Sequence, residues 1–228
     1  MVKLCVVIPA FNEAARIGPV VRGACAYGSP VLVVDDGSTD GTAEAARAAG
    51  AEILRHDVNR GKGAALCTGF QEALRRNCEV VVTMDGDGQH DPAELAGFLE
   101  AYQRTGIPVL LGNRMGEPKA MPILRLLTNR GMSWLLSRLM GHYIPDTQCG
   151  FRLYQRDVLP LVMAESAGYA AESEVLLRLA ARGVRMDAVR IGTVYAREKS
   201  KISPVRDSWR FVRMLVGHRR MLRAWRKN

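Results

Sequence analysis

Hydrophobic positions in the first half of the chain fall into short unbroken runs rather than an alternating pattern. Residues 3–9, 30–35, 51–55, 79–85 and 107–112 are each rich in Val, Ile and Leu, as expected of strands covered on both faces. Stretches of helical character lie between and after them, at 13–27, 41–49, 62–76 and 92–104. This alternation predicts an α/β fold with a mostly parallel central sheet flanked by helices. Ligands of such sheets bind beyond the carboxyl ends of the strands, and the sharpest polar clusters follow Val34, Met84 and Leu111.

The second half is patterned differently. Residues 121–141 are apolar but carry Arg125, Arg130 and Arg138. A short strand is predicted over 149–154, a helix over 172–182 and a strand over 185–194. Pro204 opens a last helical stretch in which Phe211, Leu215, Leu222 and Trp225 are set among many arginines. Residues 1–203 are thus expected to form the α/β domain. Residues 204–228 are expected to form a basic amphipathic helix on that domain or on a membrane surface. No internal repeat or low-complexity linker interrupts the chain.

Two of the polar clusters are acidic. The run Val80-Val81-Val82-Thr83-Met84 ends in Asp85-Gly86-Asp87-Gly88-Gln89-His90-Asp91-Pro92. Asp85 and Asp87 can hold one divalent cation through oxygen, with positions left for diphosphate oxygens, and Gln89 can add an amide oxygen. Gly86 and Gly88 allow the tight turn that brings them together. Asp and Gly are also ordinary turn residues, so the pair gains meaning from its place at the end of a buried strand. The run Val31-Leu32-Val33-Val34 ends in Asp35-Asp36-Gly37-Ser38-Thr39-Asp40-Gly41-Thr42. Ser38, Thr39 or Asp40 can cap the next helix, and two adjacent carboxylates exceed what a cap requires. One of them can accept hydrogen bonds from a base or ribose. A third switch from strand to loop is Pro9-Ala10-Phe11-Asn12-Glu13, where Asn12 can cap a helix. A fourth segment, Asn59-Arg60-Gly61-Lys62-Gly63, resembles a phosphate loop. It lacks the GxxxxGK[ST] spacing of a P-loop, and no GxGxxG follows any strand, which disfavours a P-loop NTPase and a dinucleotide oxidoreductase.

Charge sharpens the contrast between the halves. The net charge is +9, but residues 1–100 carry 9 Lys/Arg against 14 Asp/Glu, while the remainder carries 23 against 9. A strongly basic half suits an anionic partner. Its basic residues lack the interleaved aromatics of a single-strand platform, so no nucleic acid is expected. The five cysteines form no CxxC pair, and their odd number, with no signal-peptide pattern, favours a reducing cytosol. No uncharged apolar run reaches about 18 residues, so any membrane contact is expected to be peripheral.

Six segments in one order resemble family 2 glycosyltransferases of the GT-A fold. They are Pro-Ala-Phe-Asn-Glu from Pro9, Val-Asp-Asp-Gly-Ser-Thr-Asp-Gly-Thr from Val34, Asn-Arg-Gly-Lys-Gly from Asn59, Asp-Gly-Asp-Gly-Gln-His-Asp-Pro from Asp85, Leu-Gly-Asn-Arg ending at Arg114, and Asp-Thr-Gln-Cys-Gly-Phe-Arg-Leu-Tyr from Asp146. The last two look most like the dolichyl-phosphate mannose synthase and polyprenyl-phosphate glycosyltransferase branch. The resemblance implies an inverting enzyme that takes a hexose from a nucleotide-sugar donor with Mg²⁺ or Mn²⁺. It implies a polyprenyl-phosphate acceptor and peripheral attachment to the cytoplasmic, inner face of a membrane. Pro9, Phe11, Glu13, Val34 and Asp36 match the nucleotide pocket, with Lys62 and Gly86 also facing the donor. Asp85 and Asp87 match the metal pair, with Gln89 as a further ligand. Arg114 matches an arginine near the diphosphate, and Lys201 the lysine of a terminal Ser-Lys. The family's usual Arg-x-x-Gly-x-Ser-Lys pattern is shortened and lacks its glycine here, and Arg197 is matched to its arginine.

Charge and reactivity suggest the remaining roles. Arg125 and Arg130 are candidates to hold an acceptor phosphate. A hydroxyl acceptor would instead need a general base, for which Asp146 is the candidate. A saccharide-hydroxyl acceptor is therefore the main alternative, with a sugar-phosphate nucleotidyltransferase and a nucleic-acid binder behind it. A membrane partner subunit or a second copy of the chain is also compatible with the sequence.

Overall fold

The computed structural model describes residues 2–116, 121, 123–163 and 169–192. The helix expected over 204–228, the boundary before it, and the candidate residues Arg197, Ser200 and Lys201 lie outside the described residues.

Strand and helix alternate through most of the chain: β1 (Leu4–Ala10), α1 (Ala14–Cys25), β2 (Val31–Asp35), α2 (Thr42–Ala48), β3 (Glu52–Arg55), α3 (Lys62–Arg75), β4 (Val80–Thr83), α4 (Leu95–Thr105) and β5 (Val109–Asn113). Then follow the long α5 (Ile123–Met140), β6 (Arg152–Gln155), the single turn α6 (Leu159–Val162), α7 (Tyr169–Ala181) and β7 (Met186–Arg190). The helix expected from residue 92 starts as a 3-10 turn, Pro92–Glu94, capped by Asp91 accepting from the Ala93 amide, and only then becomes α4. The turn α6 had no counterpart in the sequence reading. Its four residues are too few to display a helical period.

All seven strands form one sheet in the order β3-β2-β1-β4-β6-β5-β7. β1 is buried at every position because side chains of both parities meet apolar cover. Cys5 and Val7 join a core with Phe70 of α3 and, further along, Leu136 of α5 and Leu176 of α7. Leu4, Val6 and Ile8 face Ile17 and Val21 of α1 and Phe98 of α4. Burial on both faces explains the unbroken apolar runs of β1, β2, β4 and β5, whereas β3, expected to be covered on both faces, is the edge strand and leaves Glu52 and Arg55 exposed.

Six strands run parallel and β6 runs against both of its neighbours, β4 and β5. That reversal positions the site. The parallel strands end along one edge, at Ala10, Asp35, Thr83 and Asn113, and β6 begins there. The loop leading into β6, residues 146–151, is thereby laid across the carboxyl ends of β4 and β5. The hydroxyl of Thr83 donates to the carbonyl of Gly150 at 2.9 Å, and the Gly112 amide donates to the carbonyl of Phe151 at 2.9 Å.

Candidate active site

The loops after β1 and β2 are stitched together by the residues that end those strands. Pro9 pairs in register with Val34. Asn12 adopts a left-handed backbone, φ +54°. Its side-chain oxygen accepts from the Thr39 amide at 2.9 Å, and its own amide donates to Ser38 at 3.0 Å. Asp40 accepts from the Ala14 amide at 3.2 Å and the Thr42 amide at 3.0 Å, so one carboxylate serves the first turns of α1 and α2 together. The Glu13 amide donates to the Thr42 hydroxyl at 2.8 Å, and the Glu13 carboxylate accepts from Arg16. Pro9, Phe11, Glu13, Val34 and Asp36 therefore occupy one corner of the sheet edge. Phe11 is 41% exposed in that corner, an aromatic face open to a planar ligand.

Asp36 is buried and already well supplied with donors. It accepts from the Arg60 amide at 2.9 Å, the Gly61 amide at 2.7 Å and His56 Nδ1 at 2.7 Å. Its clearest action is to hold the loop that delivers Lys62, the first residue of α3. Gly37 faces the same loop at φ +74°, and a side chain there would fall 2.6 Å from the Val58 backbone carbon. Only glycine satisfies both demands.

At the end of β4, Asp85 is flanked on both oxygens. Lys62 Nζ lies 2.6 Å from Oδ1 and His90 Nε2 lies 3.4 Å from Oδ2. Burial alone would raise its pKa, but the charges and hydrogen bonds of Lys62 and His90 outweigh that and hold the carboxyl well below the usual range. Asp87 is shifted the other way, first by burial and then by the like charge of Asp85, although the Gln89 amide donates to it at 3.0 Å. A carboxylate whose charge is disfavoured by its neighbour is suited to a cation shared between the two. Gly86 between them packs against Ile17 and Ile8. Among the described residues no three His, Cys, Asp or Glu side chains gather into a ready-made cage. The donor set fits an open oxygen site completed by a ligand and water, not a closed structural one.

The Gln89 side-chain oxygen accepts from Arg125 at 3.4 Å, so the first turns of α5 meet the acidic turn. Arg130 does not share that position. Five residues along a helix correspond to about 140° of rotation, and Arg130 is exposed. The two candidate phosphate ligands are therefore separated. Arg114 and Asp146 are brought together: Nε donates to Oδ2 at 2.7 Å and a terminal nitrogen donates to Oδ1 at 3.0 Å, with both residues buried. Asp146 also accepts from the amides of Arg114, at 3.3 Å, and Gln148, at 3.2 Å.

Three residues without an assigned role prove central. His90 is buried against Phe151, ring centroids 5.4 Å apart, and reaches Asp85. Its sequence signal was its place in the acidic turn, which fits a turn residue equally well. At Gly150, an added Cβ would lie 2.7 Å from Asp85 Oδ2 and 2.8 Å from Lys62 Nζ, so only a bare backbone passes between them. Arg152, on β6 and buried, donates to the carbonyls of Cys149 at 2.7 Å and Thr147 at 2.8 Å. It thereby fixes the loop carrying Asp146 and Gly150. Burial pushes the neighbouring Cys149 thiol up to about 12, so it is no thiolate nucleophile at neutral pH.

A mostly parallel sheet whose carboxyl edge presents an exposed aromatic, a lysine-bearing loop and an Asp-x-Asp turn gathers these groups where ligands of such sheets bind. The model of the family described as "Glycosyl transferase family 2" matches residues 5–161. An undecaprenyl-phosphate mannosyltransferase of Micrococcus luteus is 32% identical over 217 residues, covering 88% of this chain and 88% of its own. A polyprenol monophosphomannose synthase of Mycolicibacterium smegmatis is 32% identical over 191 residues, 77% of this chain and 71% of that one. Glucosyl-3-phosphoglycerate synthase of Mycobacterium tuberculosis, solved with Mn²⁺, UDP and phosphoglyceric acid, superposes with a TM-score of 0.75 at 23% identity. The match covers 94% of this chain and 78% of that one. The chain belongs to glycosyl transferase family 2 and is a glycosyltransferase of the GT-A fold.

Proposed function

We propose that the enzyme transfers a hexose from a nucleoside-diphosphate sugar to a polyprenyl phosphate presented at a membrane surface. The relatives in M. luteus and M. smegmatis carry names for chemistry of that kind. The base and ribose of the donor lie against Phe11, the exposed residue of the corner, while Pro9, Glu13, Val34 and Asp36 are buried and form the frame behind it. The diphosphate lies between the acidic turn and Lys62. Mg²⁺ or Mn²⁺ on Asp85 and Asp87, with Gln89 beside them, supplies neutralisation of the charge that grows on the departing nucleoside diphosphate. Lys62 adds positive charge where that charge develops. Gly150 keeps a side chain away from Asp85 and Lys62, and Gly86 lets the turn between the two carboxylates pack on Ile8 and Ile17.

The observation that carries the choice of acceptor is the pairing of Asp146 with Arg114. A hydroxyl acceptor needs a base with a lone pair aimed at it, and the oxygens of Asp146 are engaged by Arg114 and the backbone. A phosphate monoester is already an anion and needs placement instead. Arg125, in contact with Gln89, offers that placement. In this reading Arg114 acts on the donor through the loop it anchors, a positioning role more than a direct contact.

The outer face of α5 supports the membrane half of the reading. Ile123, Leu127 and Trp134 are 76%, 61% and 65% exposed, and on a regular helix they fall within about 40° of one another. Arg130 and Arg138 are also exposed and border the same stripe. Large apolar side chains interspersed with arginine on one helix face suit an anionic lipid surface. No helix among the described residues is long and apolar enough to cross a membrane, consistent with peripheral attachment.

Thermal denaturation of the full chain with UDP-, GDP- and CDP-sugars, each with Mn²⁺, Mg²⁺ or EDTA, tests the donor half. One nucleotide should raise Tm with metal present, and Asp87→Ala should remove the metal-dependent part of that rise. Equal stabilisation in EDTA, or in the variant, contradicts the metal assignment.

A further inference from the structure

We propose that Lys62 is a resident cation on Asp85 that an incoming divalent metal must displace and that the donor diphosphate draws away, so that metal and donor bind cooperatively. This rests on the metal-dependent nucleotide-sugar reading above and adds an order of events to it.

The geometry seats the ammonium against Asp85. Lys62 Nζ sits 2.6 Å from Asp85 Oδ1, with the two side chains 31% and 26% exposed. The far wall is Gly150, whose missing Cβ would lie 2.8 Å from that nitrogen and 2.9 Å from the same carboxylate oxygen. A metal ion on Oδ1 would stand within a few ångströms of the ammonium, and two positive charges at that range repel strongly in a half-buried site. His90 Nε2 lies 3.4 Å from Oδ2 on the other side, so Lys62 and His90 flank the two oxygens that a metal would share.

The root of Lys62 is fixed by the loop before it. Asp36 grips the amides of Arg60 and Gly61, at 2.9 and 2.7 Å, and Gly61 takes φ +91° immediately before the helix. The backbone is therefore anchored at the first residue of α3, and the four-carbon stem above it can swing without moving the helix. A diphosphate arriving between the acidic turn and α3 offers the ammonium more negative charge than one carboxylate does. When Lys62 transfers to it, Asp85 is released to the metal. Because binding free energies are linked, the metal must improve donor affinity by the same factor. In the absence of donor, Lys62 keeps the acidic turn neutralised and its affinity for free divalent ions low.

The test uses the full chain stripped with EDTA, with Mn²⁺ alone as the first probe, free Mn²⁺ being read by its paramagnetic resonance signal. Lys62→Met and Lys62→Gln, each checked for unchanged Tm, should bind Mn²⁺ alone about tenfold more tightly than wild type, the scale of one partly exposed ion pair. Saturating UDP or GDP, whichever binds, should tighten Mn²⁺ by a smaller factor in these variants than in wild type. Chelation by the nucleotide itself is common to all three proteins and cancels in that comparison. Unchanged or weaker Mn²⁺ binding in both variants overturns the proposal while leaving the metal reading intact, provided that Asp87→Ala abolishes binding. Mn²⁺ binding that survives Asp87→Ala overturns the metal reading and this proposal together.

Discussion

Arg114 and Asp146 lie 5% and 1% exposed, and their chemistry is decided by each other. A charge left alone at that depth costs far more than the pair does, so removing one partner is more damaging than removing both. Asp146→Asn should lower the unfolding free energy by about 3 kcal/mol, with activity falling in parallel. The double change Arg114→Met, Asp146→Leu should recover part of that stability but not the activity. Urea titrations of the three proteins check this, and a single variant as stable as wild type would contradict the ion-pair account. The sequence marked both residues, one as a diphosphate contact and one as a base. It could not show that they meet, because 32 positions separate them and nothing local couples them. Asp36 presents the same difficulty. Its type and place were legible, but its three donors come from residues 56, 60 and 61, brought to it only by the crossover through β3. Asp40 was more readable in part, because its bond to the Thr42 amide is local, while its bond to the Ala14 amide is not.

At the scale of elements, α5 was recognisable as an apolar segment broken by arginines, and its bounds follow from that. Which arginine faces inward was not, since residues on both sides of the helix are apolar and the pattern gives no single buried stripe. The structure divides them. Arg125 meets Gln89, while Arg130 and Arg138 stand with Ile123, Leu127 and Trp134 on the exposed side. Replacing Leu127 and Trp134 together by Glu should therefore leave Tm close to wild type while reducing co-sedimentation with phosphatidylglycerol vesicles at least severalfold. Undiminished co-sedimentation would remove α5 from the attachment surface. β6 carries the other lesson at this scale. A strand over 149–154 is evident from Phe151, Leu153 and Tyr154, but its direction depends on where α5 returns the chain. A reading by strand–helix alternation assigns it no reversal, yet that reversal places Gly150 beside Asp85 and Lys62.

For the molecule as a whole, the unbroken Val and Ile runs and the acidic residues at their ends carried the fold and the edge on which the site lies. Burial on both sheet faces leaves a direct trace in composition, and a carboxyl-edge site follows from parallel strands. Less legible was the assembly of that edge: a lysine from α3, a glycine from the β6 loop and an arginine from α5 converge on one Asp-x-Asp turn. In the proposed reaction a sugar leaves a nucleoside diphosphate at that turn for a lipid phosphate. The most direct measurement supplies radiolabelled UDP-glucose and GDP-mannose, with Mn²⁺, to the enzyme on vesicles containing undecaprenyl phosphate, and extracts the products into organic solvent. The account predicts acid-labile label in the organic phase with wild type for at least one donor, and none with Asp87→Ala or in EDTA. Label confined to the aqueous phase while the donor is consumed on an added saccharide would contradict it.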